Sequence, residues 1–427
     1  MIKYNLISYL LFIILISSKC KEETTRPLPN PNPWGYLTPA LDTLWTAPLG
    51  FGITPKFTSN KDVLMSEVFI SKQGEKFKLF DGNTGKLKWE WADYFKVEED
   101  FSGVKHIAIN DALILCGRSA TYALNMITGQ TLWKHQIDSL SGEPRIFNDE
   151  DGYIYHGFSS KTENSTYYIF RTKYDEPKWE LVCTFKDTLP VDRVSATSIA
   201  CSKNAKGEKI MVFTLYMDYT LNGNLKTVSK VCGYNLNTQQ YDWIKDYSSQ
   251  WGELNVCKMQ SSNGKVFTFA TKGPNGLLIA FDVDNGNIAW KQELPEYGTY
   301  LMLYKNSIVI TSDYGSPTDK GFVISFDQSS GTKIWESILI TENVMGKPSY
   351  QFGFDACNVF KNYLFSTHCS NLVVLNLDNG AIIFNKPVSL PQGCLQYGVA
   401  INEQKRCFYV QDRNKAICYK LPEEVIY

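Results

Sequence analysis

The sequence predicts an all-β ring, an eight-bladed β-propeller of four-stranded antiparallel blades, and three observations predict it. A nine-residue pattern recurs along the chain: DGNTGKLKW (81–89), NMITGQTLW (125–133), NLNTQQYDW (235–243), DVDNGNIAW (282–290), DQSSGTKIW (327–335) and NLDNGAIIF (376–384) align without gaps. Counting a degenerate copy ending at Trp179 and a ninth position at Trp45, the intervals are 44, 44, 46, 64, 47, 45 and 49 residues. That period suits one four-stranded sheet with its turns, and a fixed period of 20–50 residues marks a repeat architecture. The third observation is that short β-rich runs separated by Gly, Asn and Asp fill each unit, with little helical periodicity.

Each element of the unit has a reason. Between Asp62 and Trp91 the chain reads VLMSEVFIS, a polar KQGE turn, the alternating KFKLFD, an NTG turn and KLKWEW. The leading Asp or Asn can hydrogen-bond its own following backbone, and Gly at the fifth place accepts positive φ. The aromatic at the ninth place then belongs to the outer strand and can pack between neighbouring sheets. On this alignment seven of the ten Trp (45, 89, 133, 179, 243, 290 and 335) hold one repeated position.

These residues resemble the quinoprotein-like (PQQ-like) β-propeller repeats, whose hallmark is Asp-x-x-Thr-Gly-x-x-x-Trp, over roughly 40–427. The C-terminal segment CFYVQDRNKAICYKLPEE supplies inner strands but stops before the turn and Trp strand, and LDTLWTAPLG near the N-terminus supplies the missing strand. Pairing the two closes the ring and removes a free sheet edge. The 64-residue interval implies an insertion, YMDYTLNGNLKTVSK (216–230), projecting from the ring.

The N-terminus reads as a targeting segment. Lys3 and the apolar Leu6 to Ile16 fit a signal peptide, and this stretch is shorter than the ~20 residues a membrane span needs. Cys20 followed by Lys21-Glu22-Glu23 resembles a bacterial lipoprotein signal, with Lys19 departing from the small residue usual there. The expected organisation is a lipoprotein signal over 1–19, a tether over 20–36 and the propeller over 37–427. Cys20 would be the lipidation site, anchoring the protein to the outer membrane of a bacterial cell envelope. An ordinary cleaved secretory signal is the alternative. Either places the chain where disulfides are permitted. The ten further cysteines contain no CxxC pair and read as buried thiols; Cys407 and Cys418 would face each other if the turn fell at Asp412-Arg413.

Composition excludes several functions. With 43 basic and 44 acidic residues and a net charge of −1, no basic patch signals nucleic acid. Four histidines, none in an HExxH or HxH arrangement, offer little for zinc. Quinoprotein dehydrogenases of the resembled family hold PQQ and calcium, the alcohol type beside an adjacent Cys-Cys pair. This chain has no such pair and no Asp-rich loop dense enough for six to eight converging oxygens, so neither PQQ nor calcium is expected. No GxSxG elbow accompanies His106, His135, His156 or His368.

An antiparallel meander puts the inter-blade connections and the second-to-third-strand hairpins on one upper face, opposite the Asp-x-x-Thr-Gly turns. Candidate binding residues there are Trp251, Glu253, Tyr297, Tyr300, Tyr350, Phe352, Asp355 and Tyr397 from the connections, with Arg118, Asp313, Tyr314, His368 and Arg413 from the hairpins. Aromatic surfaces with a few polar groups serve both partner hot spots and sugar platforms; wedging between blades is the competing role for each aromatic. The expected function is a non-catalytic scaffold, a monomeric ring binding an envelope protein. It resembles in architecture the BamB-type propeller lipoproteins of outer-membrane assembly. A glycan or small-ligand binding propeller and a PQQ-dependent enzyme are the alternatives.

Overall fold

The computed structural model describes residues 41–49, 55–68, 75–91, 105–116, 120–136, 140–141, 146–160, 162–163, 165–187, 191–221, 224–247, 259–272, 275–295, 298–312, 320–340, 357–368, 371–387, 395–412 and 415–426. The chain divides into Met1–Ala40 and Leu41–Tyr427, and every described residue lies in the second unit. The signal, the tether and Cys20 therefore fall outside the described residues.

Eight antiparallel sheets follow one another along the chain, and together they form the eight-bladed propeller that the repeat predicts. Blade 5 shows the plan: Gln260–Ser262, Lys265–Lys272, Asn275–Asp282 and Ile288–Leu294 pair in sequence order. Blades 1, 2, 4, 6 and 7 repeat it over 56–91, 105–136, 193–246, 298–340 and 357–387. In blade 3 the first strand is broken into Leu140–Ser141 and Ile146–Asn148, both paired with Tyr153–Ser160. Blade 8 takes three strands from 395–420, and its fourth is Thr43–Pro48, with Trp45 opposite Cys418 and Thr46 opposite Ile417.

The turn signature has a visible cause. In blade 1 the Asp81 Oδ1 accepts the backbone N–H groups of Asn83 (3.0 Å) and Thr84 (2.9 Å) and the Thr84 hydroxyl. Gly85 sits at φ 70° and donates its N–H to the Asp81 carbonyl. A bulge follows: Phe80 pairs with Leu87 and Leu79 with Trp89, leaving Lys88 as the extra residue. The same shift recurs in the fourth strand of every blade, and a bulge twists a strand locally. The hydrophobic core lies between adjacent sheets. One cluster joins Trp45, Val63 and Phe80 to Ala400, Tyr409 and Cys418, so the N-terminal strand, blade 1 and blade 8 share one core.

The structure corrects three sequence expectations. Register assigns the ninth place of blade 3 to Cys183, opposite Ile169, and not to Trp179, which lies in the preceding turn. The interval of 64 thereby becomes 60, from Cys183 to Trp243, and the one before it 50. The enlargement of blade 4 is also not a bare projection. Its second and third strands lengthen to Lys209–Leu221 and Asn224–Asn235, and Met217 and Tyr219 are buried with Phe185 and Val194. Finally, the last hairpin pairs Asp412 with Lys415, two residues out from the expected register. Cys407 thus faces Lys420 and Cys418 faces Tyr409, and both thiols are free.

Candidate functional site

Of the upper-face candidates, Trp251, Glu253, Tyr297, Tyr350, Phe352, Asp355, Arg118, Asp313, Tyr314 and Arg413 lie outside the described residues. His368 ends the second strand of blade 7 and pairs with Asn371 across the hairpin; Tyr397 falls on the first strand of blade 8. Tyr300, on the first strand of blade 6, packs with Met302 and Val309 against Leu364 and Val373 of blade 7. For this residue the wedge between blades is the observed arrangement.

The opposite face, which carries the turns, is described in every blade. Here each Trp at the ninth place reaches the turn of the next blade. Trp45, Trp243, Trp290 and Trp335 donate their indole N–H to the second turn residue's carbonyl, those of Gly82, Val283, Gln328 and Leu377, at 2.8–3.2 Å. Trp89 reaches Ile127 at 3.0 Å and Trp133 reaches Tyr174 at 2.9 Å. The turn glycine lies flat on the same indole. A Cβ on Gly331 would stand 2.6 Å from Cδ2 of Trp290, and Gly85, Gly129, Gly286 and Gly380 are placed alike against Trp45, Trp89, Trp243 and Trp335. Glycine at the fifth place therefore meets two demands at once, positive φ and clearance for the preceding blade's indole.

The exceptions obey the same logic. Blade 3 offers Cys183 where an indole would stand, and blade 4 has Gln239, at φ 59°, where a glycine would stand. Tyr241 fills the space from the other side, packing with the Cys183 cluster and donating its hydroxyl to the Thr184 carbonyl at 3.1 Å. Blade 7 has Phe384, which needs no acceptor. In its neighbour, blade 8, the third strand is followed by the short helix Glu423–Ile426 and the fourth strand is Thr43–Pro48; Phe384 packs with Leu421 and Val425 instead.

Histidines and cysteines are drawn into this packing. His156 is fully buried between blades 2 and 3, with ring centroids 5.2 Å from Trp179 and its Nδ1 3.5 Å from the Thr121 hydroxyl. Burial pushes its pKa down to about 3, with His135 nearby adding in the same direction. Burial likewise pushes the Cys183 and Cys201 thiols up to about 12. A buried thiol held in its protonated form is unreactive, since the thiolate is the nucleophile. Among the described residues no cluster of three His, Cys, Asp or Glu side chains is placed to hold a metal ion.

Comparison with known proteins agrees with this geometry. A family model described as outer membrane protein assembly factor BamB matches residues 243–397, about a third of the chain, running from the Trp of blade 4 into blade 8. Residues 243–397 are thus similar to this propeller family. Similar solved structures include the C-terminal WD40 domain of Sif2 (TM-score 0.58, 8% identity, covering 90% of this chain and 99% of that one). Sqt1 of Saccharomyces cerevisiae (0.56, 11%, 91% and 100%) and a europium-containing methanol dehydrogenase (0.51, 10%, 87% and 84%) are also similar. At these identities the likeness is one of fold. No curated protein matches the sequence significantly.

Proposed function

We propose that this propeller is an envelope-anchored scaffold for protein–protein contacts, lipidated at Cys20 and acting in outer-membrane protein assembly. The observation that carries the reading is the interlock: six indoles each bind the neighbouring blade's turn, making the ring a rigid frame whose polar repeat residues serve the frame itself. A frame of this kind presents its loops without having to order them at the moment of binding, which lowers the cost of association. The match of residues 243–397 to the BamB family model supports the choice of partner class.

Two experiments test it. Crosslinked capture of envelope proteins by the full chain should retain an outer-membrane assembly component, and Trp251→Ala and Tyr350→Ala should each weaken that capture. Capture unaffected by both substitutions removes the upper face as the site. Labelling with a radioactive fatty acid should mark the wild-type chain and not Cys20→Ser; equal labelling of the two overturns the anchor.

A further inference from the structure

On the turn-bearing face, two junctions carry an aspartate bridge that the junction between them lacks. In two junctions the third residue of a turn is an aspartate that bridges to the first turn of the preceding blade. Asp284 of blade 5 accepts the Ala205 N–H of blade 4 at 2.8 Å. Asp378 of blade 7 accepts from Lys305 Nζ at 2.5 Å and the Tyr304 hydroxyl at 3.0 Å, both of blade 6. Between these two junctions lies that of blades 5 and 6, and there the third residue is Ser329. Its side chain is too short to cross, and its hydroxyl turns back to Asp327 Oδ1 at 2.5 Å.

A cavity of about 210 Å³ opens at that spot, between Asn263 and Lys265 of blade 5 and Asn306, Asp327, Gln328 and Ser329 of blade 6. At ~30 Å³ per water it has room for about seven waters, the size of one small polar group with its near surroundings. The lining is left with unused donors. Lys265 makes no ion pair, and the side-chain amides of Asn263 and Asn306 make no hydrogen bond, among the described residues. Asp327 is ionised at neutral pH, and its charge is satisfied within its own turn. Its Oδ1 is held by the backbone and hydroxyl groups of Ser329 and Ser330, which lower its pKa to about 2. In blade 5 the corresponding Asp282 coexists with Asp284.

We propose that this cavity binds a carboxylate group, which takes the place that Asp284 and Asp378 fill in the neighbouring junctions. The ammonium of Lys265 supplies the charge and the amides of Asn263 and Asn306 supply further donors; charge-assisted hydrogen bonds of this kind are the strong ones. The carboxylate can come from a peptide C-terminus or from a sugar acid.

Calorimetric titration of the full chain with glucuronate and its methyl ester, and with Gly-Gly-Gly and its C-terminal amide, distinguishes the two sources. The expected result is saturable binding of at least one carboxylate probe and loss of binding by its neutral counterpart. Lys265→Met and Ser329→Asp should each weaken that binding by about tenfold or more. Ser329→Asp refills the gap from within, so its melting temperature should rise above that of the wild type, and circular dichroism confirms that Lys265→Met is folded. No saturable binding of glucuronate or the tripeptide at millimolar concentration, binding indifferent to both substitutions, or a lowered melting temperature for Ser329→Asp overturns the proposal.

Discussion

Trp45 donates its indole N–H to the carbonyl oxygen of Gly82, 3.2 Å away in the first turn signature of the ring. The contact joins the N-terminal strand of blade 8 to blade 1, and the Tyr409 hydroxyl donates to the same oxygen at 2.9 Å. Trp45 is buried, and truncating a buried Trp to Ala costs about 3–5 kcal/mol. Trp45→Ala should therefore lower the urea midpoint strongly. Leu44→Ala, one residue earlier but 53% exposed, should change stability by no more than ~0.5 kcal/mol. Equal midpoints for the two variants would contradict the seam.

The double role of the turn glycine separates two substitutions of the same kind. Gly207 has φ 80° and open space where a Cβ would go, whereas Gly331 has φ 72° and the Trp290 ring there. Gly207→Ala should cost only the left-handed backbone penalty, about 1–2 kcal/mol. Gly331→Ala should cost about 1–3 kcal/mol more through overpacking. Denaturant titrations of both variants read this difference directly.

His156 gives the fold a pH dependence with a definite sign. Its pKa lies at about 3 when folded against an ordinary value of 6.5. As pH falls through 6.5 the unfolded chain takes up a proton that the folded chain refuses, so stability drops progressively between those values. The slope from one such group is at most ~1.4 kcal/mol per pH unit. His135, also lowered by burial, acts in the same direction. The unfolding free energy of the wild type should therefore fall from pH 6.5 to 4.5 more steeply than that of His156→Phe. Parallel curves would show that His156 is not a buried neutral imidazole.

Cys183 stands where other blades carry an indole, buried against Tyr234 and Tyr241. Because the thiolate is the reactive form and burial raises this thiol to about 12, alkylation at pH 8 should leave it unlabelled in the native protein. In urea the same residue should label fully, as peptide mass spectrometry reads. Native labelling of Cys183 would place it outside the interlock.

How much of this was legible in the sequence depended on whether a residue's role was local. The Asp81 turn and the positive φ of Gly85 follow from the chemistry of four neighbouring residues, so the repeat was readable, and with it the fold. Trp179 misled because spacing alone cannot see the longer turn of blade 3, which moves the ninth place to Cys183. The Cys407 register differs in a similar way: a hairpin turn centred one residue later moves every opposite partner by two. The one signal that pointed to the exception was Gln239, a non-glycine at the fifth place of the following blade. The upper-face candidates are scattered along the sequence, and of their aromatics Tyr300 packs between blades. The gap at Ser329 was invisible for the same reason, since it exists only by comparison with Asp284 and Asp378 across the ring.

The eight-bladed ring closes through Thr43–Pro48, the fourth strand of the last blade. Hydrogen–deuterium exchange of the intact chain tests it without any substitution. The inward-facing amides of 43–47, which pair with Lys415–Lys420, should exchange slowly, while the outward-facing ones of this edge strand exchange faster. Exchange of every amide in 43–47 at the rate of a free peptide, while 415–420 stays protected, would contradict this closure.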